Sequence, residues 1–124
     1  MSTHIDDLRS SVSMAAGAYP TTISMSAQGP TVDLAAGDGS CFAIQQVGDA
    51  PGDGTLDGRI EQSSNGSFWA AISGATFAQV VGANDIQVIR FQSTAKYVRW
   101  AATVAGSSPE FTVSVLIGSQ KKTF

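Results

Sequence analysis

Residues 55–72, TLDGRIEQSSNGSFWAAI, decide how the rest of the chain is read. Leu56, Ile60 and Gln62 alternate with Asp57, Arg59 and Glu61. Successive side chains of a strand point to opposite faces of a sheet, so this is the period of a half-buried strand. Ser63-Ser64-Asn65-Gly66 follows, and Asn-Gly supplies the positive φ angles of a tight hairpin turn. The chain returns through Phe68-Trp69-Ala70-Ala71-Ile72, apolar and aromatic, so the hairpin is expected to lay one face on a core. Trp69 and Ile72 are three positions apart and cannot share a strand face, which predicts a bend or bulge near Ala70. A lone hairpin is marginal in water, so other strands must cover it.

Those strands are legible on both sides. Thr31-Val32-Asp33-Leu34 alternates, Gly37-Asp38-Gly39-Ser40 has turn composition, and Cys41 to Val47 opens as a near-continuous apolar run. Gly48 to Gly54 is a loop by composition. Gly74 to Val81 reads as a short strand, and Ile86 to Phe91, IQVIRF, is rich in branched and aromatic residues. In Lys96 to Val104, Val98, Trp100, Ala102 and Val104 share one face, and Tyr97, Arg99, Ala101 and Thr103 the other. Phe111, Val113, Val115 and Ile117 form the inward face of the last strand.

About eight strands, turns roughly every 8–12 residues and no interior helix predict an all-β fold, an antiparallel jelly-roll-like β-sandwich. Its expected core is Val32, Leu34, Phe42, Ile44, Leu56, Ile60, Trp69, Ile72, Phe77, Val98, Trp100, Val104, Phe111, Val113 and Val115. No strand–helix alternation of a dinucleotide fold is present.

Residues 1–29 differ in character from the sandwich domain expected at 30–124. Ile5, Leu8 and Val12 lie at helical spacing, with Asp6 and Asp7 suited to a first turn. Thr21 to Ser26 alternates, as an edge strand or an extended arm would, and Gln28-Gly29-Pro30 breaks it. The segment is read as an extended N-terminal arm that leaves the domain, with folding back onto its own sandwich as the rival. Apolar residues on such an arm gain roughly 25 cal/mol per Å² only when they dock. Ile5, Leu8, Tyr19, Ile23 and Met25 are therefore the expected interface residues.

The 124 residues and 12.8 kDa fit one domain. Charged residues make up only 14% against 43% hydrophobic, so Ser, Thr, Gln, Gly and Ala must cover the surface. Such surfaces suit permanent docking, because removing charges from water is costly. A net charge of -3 with scattered basic residues argues against nucleic acid as a partner. Asp6 and Asp7 stand near the N-terminus with no apolar stretch behind them, and no run approaches the roughly 20 apolar residues of a membrane span. Synthesis in a cytoplasm, without export or a membrane partner, is the expectation.

Nothing assembles into an active site. Cys41 lies in an apolar run and reads as a small buried hydrophobe. His4 has no second His to share a metal and lies in the N-terminal segment, so a Ser-His-Asp triad would need it folded back onto the sandwich. Asp49, Asp53 and Asp57, with Asp38, offer oxygens for a hard cation, yet their spacing matches ordinary Asp-Gly turns. Gly37-Asp38-Gly39 and Gly52-Asp53-Gly54 lack the Lys-Ser/Thr of a phosphate loop. Glu61 with Glu110 is the one conceivable carboxylate pair for glycoside cleavage, and Glu61 reads better as a solvated strand residue. Of the aromatics that could stack a sugar, Trp69 and Trp100 read as core, while Tyr97 and Arg99 lie on the opposite face. No enzyme activity, cofactor or metal is expected.

Several stretches together carry a family resemblance: Val32-Asp33-Leu34, Phe42-Ala43-Ile44-Gln45-Gln46-Val47-Gly48, Gly54-Thr55-Leu56, Ile60-Glu61-Gln62-Ser63 and Ser64-Asn65-Gly66-Ser67-Phe68-Trp69. Ile89-Arg90-Phe91, Lys96-Tyr97-Val98-Arg99 and the closing strand extend it. Over residues 30–120 the chain resembles small β-sandwich capsid decoration (cement) proteins of tailed bacteriophages. The resemblance implies a virion structural protein on the outer capsid surface, often a homotrimer, whose partner is the major capsid protein and which clamps neighbouring shell subunits. The alternative is a carbohydrate- or receptor-binding sandwich of a phage tail or surface.

Overall fold

The computed structural model describes the backbone of residues 12–34 and 37–121, with side chains for 21–34 and 40–119. Nine strands follow one another: β1 (Val12–Ile23), β2 (Ala27–Gln28), β3 (Val32–Asp33), β4 (Gly37–Val47), β5 (Asp53–Ser63), β6 (Ala70–Thr76), β7 (Asp85–Gln92), β8 (Tyr97–Ser108) and β9 (Phe111–Lys121). One sheet has the order β1-β9-β4-β7 and the other β2-β8-β5-β6, with β3 also on β8. β2 and β3 pair with the same neighbour, at Ala27–Ala102 and Val32–Val98. They are one edge strand interrupted at Pro30, which has no N–H to donate. Counted so, eight strands run 1-8-3-6 and 2-7-4-5, the order of a jelly roll. The expected all-β antiparallel sandwich is the fold.

The opening stretch sits at its heart. β5 pairs with β8 from Leu56↔Val104 to Ser63↔Tyr97, so the two alternating patterns reinforce each other. Leu56, Ile60, Val98 and Trp100 point between the sheets and meet Phe77, Phe111, Val113, Val115 and Ile117 from elsewhere in the core. The hairpin turn is longer than a two-residue one. Ser63 Oγ accepts from Gly66 N at 2.8 Å, and Asn65 Oδ1 accepts from Ser67 N at 2.8 Å. These side chains stand in for strand partners over residues 64–69, and Phe68 is left 81% exposed. The predicted bulge lies further on: Glu61 opposes Ala71 while Arg59 opposes Thr76. The extra residues let Ile72 and Ala75 both face inward.

Four of the expected core residues are corrected. On β4 the inward residues are Cys41, Ala43, Gln45 and Val47, while Phe42 and Ile44 face outward and are half-buried. A continuous apolar run does not fix its own register, because either face can be the buried one. The neighbours fix it: Ala43, Gln45 and Val47 stand opposite Ile117, Val115 and Val113. Gly118 opposes Phe42, and a Cβ there would collide with the Phe42 ring. Trp69 lies before β6 on the outer side of its sheet, half-buried. Val104 is half-buried against the core edge.

The arm is also corrected for the residues described. Val12–Ile23 is not free of the domain but pairs with β9 from Val12↔Gln120 to Ile23↔Phe111. Alternation in Thr21 to Ile23 is therefore that of an edge strand. Ile5 and Leu8 lie outside the described residues. Tyr19 is part of β1, Ile23 packs partly buried against the core, and Met25 is exposed.

Candidate functional site

The two outer faces of the sandwich differ in kind. On the β1-β9-β4-β7 sheet, register aligns Leu116, Ile44 and Val88 across three strands, with Phe42↔Arg90 on one side and Gln46↔Ile86 on the other. Ile86 is 66% exposed, Val88 60% and Leu116 36%. Arg90 is the one charge among the described outward side chains of β4, β7 and β9. A one-sided sheet ordinarily turns polar residues to water, so branched aliphatics in neighbouring rows set this face apart. Of the residues expected at the interface, the two with described side chains are Ile23, half-buried, and Met25, exposed, and the described apolar face is made of others. Its signal was present in IQVIRF, where Ile86 and Val88 are apolar on one parity and Ile89 and Phe91 on the other. Apolar residues on both parities give the strand two apolar faces, only one of which the core takes.

The β2-β8-β5-β6 sheet turns a polar and aromatic face outward. Glu61 Oε1 accepts from Arg99 Nε at 2.8 Å and its Oε2 from Arg59 Nε at 3.2 Å. Arg59 also donates to Thr103 Oγ1 at 3.2 Å. The Arg99 guanidinium lies 4.3 Å from the centroid of the Trp69 ring. Glu61 was expected to be solvated; its side chain is 12% exposed because two arginines and the neighbouring strands enclose it. Glu110 is exposed and takes no part in this cluster. The arrangement offers a planar ring and charged hydrogen-bonding groups.

The acidic loop does turn chemistry. Asp53 accepts from Ser107 Oγ and from Ser108 N, both at 2.7 Å, and so ties the start of β5 to the end of β8. The hydroxyl, then the backbone N–H, hold its carboxyl below the ordinary value of 3.8. Asp57 accepts from the Gln79 amide at 3.1 Å. Among the described residues no three His, Cys, Asp or Glu side chains converge as a metal would need. Cys41 is buried, as its apolar run implied.

No family model matches the chain, and no curated protein matches it in sequence. Several solved structures match it, two of them as follows. The SPBc2 prophage-derived protein YomS superposes with a TM-score of 0.55 at 10% identity, over 87% of this chain and 95% of that one. The C-terminal family 22 carbohydrate binding module of Clostridium thermocellum Xyn10B gives 0.43 at 13% identity, over 91% of this chain and 83% of the module. At 10% identity the likeness to YomS is one of fold, over nearly the whole chain.

Proposed function

We propose that this chain is a virion structural protein of a tailed phage that docks on the outer surface of the capsid shell and holds neighbouring subunits together. The observation that carries the reading is the apolar, charge-poor outer face around Leu116, Ile44 and Val88. Docking there removes aliphatic surface from water and leaves almost no charge to desolvate, so the free energy of burial is kept. Repetition over many copies then favours the intact shell by mass action. The sequence resemblance and the fold shared with a prophage-derived protein support the reading. Ile5 and Leu8, ahead of β1, are proposed to extend the contact to the adjacent subunit.

Co-sedimentation with purified empty shells of the encoding phage tests this. The wild-type chain is expected to pellet with shells and to raise their melting temperature. Leu116→Lys, placed in the middle of the apolar face, should weaken shell binding about 100-fold, since a desolvated unpaired charge costs several kcal/mol. Binding that is absent in wild type, or unchanged in the variant, overturns the reading.

The second reading, a carbohydrate- or receptor-binding module, is favoured by the Trp69, Arg99, Glu61 and Arg59 cluster. A ring with hydrogen-bonding groups beside it can stack a sugar and fix its hydroxyls. Titration with host-surface polysaccharide, with Trp69→Ala as control, separates it from the first.

A further inference from the structure

We propose that the outer face of the β2-β8-β5-β6 sheet binds a carboxylate-bearing sugar, a uronate or sialate unit of a polysaccharide, through Arg99 beside Trp69. The inference rests on the second reading above and narrows its ligand to acidic glycans.

The charges on this face do not balance where they meet. Glu61 stands opposite Arg99 across β5 and β8, with Arg59 two residues before it on the same side. One carboxylate therefore serves two guanidiniums, Arg99 Nε at 2.8 Å and Arg59 Nε at 3.2 Å. The other carboxylates of the face are engaged elsewhere. Asp57 accepts from Gln79 Nε2 at 3.1 Å, and Asp33 pairs with Lys96 at 4.0 Å. A surplus positive charge is left on two side chains that are only 34% and 23% exposed. A half-enclosed charge of this kind costs free energy until an anion meets it.

The donors that could meet the anion are unspent. Arg59 gives Nη1 to Thr103, but among the described residues the terminal Nη groups of Arg99 make no hydrogen bond. Those two groups form the planar fork that matches a carboxylate with two parallel hydrogen bonds. Apolar surface lies beside them. The Arg99 guanidinium is 4.3 Å from the centroid of Trp69, which is half-buried, and Phe68 next to it is 81% exposed. Aromatic surface takes the C–H face of a pyranose, while the fork takes its carboxylate. A neutral sugar would leave the surplus charge unmet, so the site discriminates against it.

The site is built before any ligand arrives. Glu61 fixes both arginines, and Asn65 Oδ1 holds the turn that carries Phe68 and Trp69, accepting from Ser67 N at 2.8 Å and Phe68 N at 3.1 Å. Little ordering remains to be done on binding. The two sheets pack back to back, so this face is turned away from whatever the Leu116 face docks on. Both contacts can be made at once.

Titration of the full chain with oligogalacturonate, hyaluronan oligosaccharides and oligosialic acid tests the inference, by calorimetry and by NMR. At least one of these probes is expected to bind with a Kd of roughly millimolar or tighter. Its carboxyl-reduced, neutral counterpart should bind at least about 10-fold more weakly. In the wild-type chain the Arg99 Nε–H and Trp69 indole N–H signals should shift on titration. Arg99→Lys, which keeps the charge but loses the fork, and Trp69→Ala should each weaken binding about 10-fold. Both variants are to be checked for a cooperative unfolding transition, and the wild-type shifts do not depend on them. Failure of all three acidic probes overturns the proposal, as does binding that leaves the Arg99 and Trp69 signals unmoved. Acetate binding as tightly as the oligosaccharide also overturns it, since only a bare anion contact would remain. Equal binding of the neutral counterpart overturns the acidic class and leaves the second reading standing.

Discussion

At the scale of single residues the most constrained point is where Gly58, Gln45 and Trp100 meet. Trp100 Nε1 donates to Gln45 Oε1 at 2.9 Å, deep between the sheets. Gln45 is fully buried, and its Nε2 has no hydrogen-bond partner among the described residues. A Cβ on Gly58 would run into the Gln45 amide oxygen and the Trp100 indole nitrogen. Gly58→Ala is therefore expected to cost about 2–4 kcal/mol, by overpacking and by breaking a buried hydrogen bond. Trp100→Ala should cost about 3–5 kcal/mol, as loss of a buried aromatic does. Urea unfolding of both variants checks this. Asp53 supplies a pH signature. Its carboxyl is held below 3.8 in the fold by Ser107 and Ser108. Its stabilisation is thus present above the unfolded-state value and is lost as pH falls through the lowered one. Asp53→Asn should lower the urea midpoint at pH 7, and the gap from wild type should close as the pH falls below 3.8 and through the lowered value.

At the scale of elements, β1 and β4 carry the lessons. Deleting residues 1–23 removes β1 and strips β9 of its outer neighbour along Val12↔Gln120 to Ile23↔Phe111. That truncation should lower the melting temperature by roughly 10 °C or more, since several kcal/mol of pairing and burial are lost. Deleting residues 1–11 leaves β1 intact and should leave the melting temperature within a few degrees of wild type, while weakening shell docking if Ile5 and Leu8 reach a neighbour. β4 shows how a sheet chooses a face. In Cys41-Phe42-Ala43-Ile44 either parity could be inward, and size alone favours Phe42 and Ile44. The choice falls to Cys41 and Ala43 because β9 and β7 hold β4 in a register that pairs Cys41 with Phe91 and Ala43 with Ile117.

At the scale of the whole molecule, the first and last long strands are neighbours and β9 lies between β1 and β4. The β1-β9-β4-β7 sheet cannot be completed before β9 is made, and its folding must wait for contacts distant in sequence. A chain ending before Phe111 is expected to lack the cooperative transition of the intact protein, with few slowly exchanging amides by NMR.

The sequence by itself determined the class of fold and the strands with clear alternation. Alternation in β5, β8 and β9 placed Leu56, Ile60, Val98, Trp100, Phe111, Val113 and Val115 in the core, and each is there. It also read Asp53 as turn chemistry, and Asp53 ties the start of β5 to the end of β8. What only the tertiary structure decided is where both parities of a strand are apolar or where its partner lies far away in sequence. The inward face of β4, the place of β1 beside β9, the Arg99–Trp69 stack and the exposed row of Ile86 and Val88 all depend on register against distant strands. A strand carries its own period, but which of its faces is buried and which strand it meets are properties of the neighbours that compete for its edges.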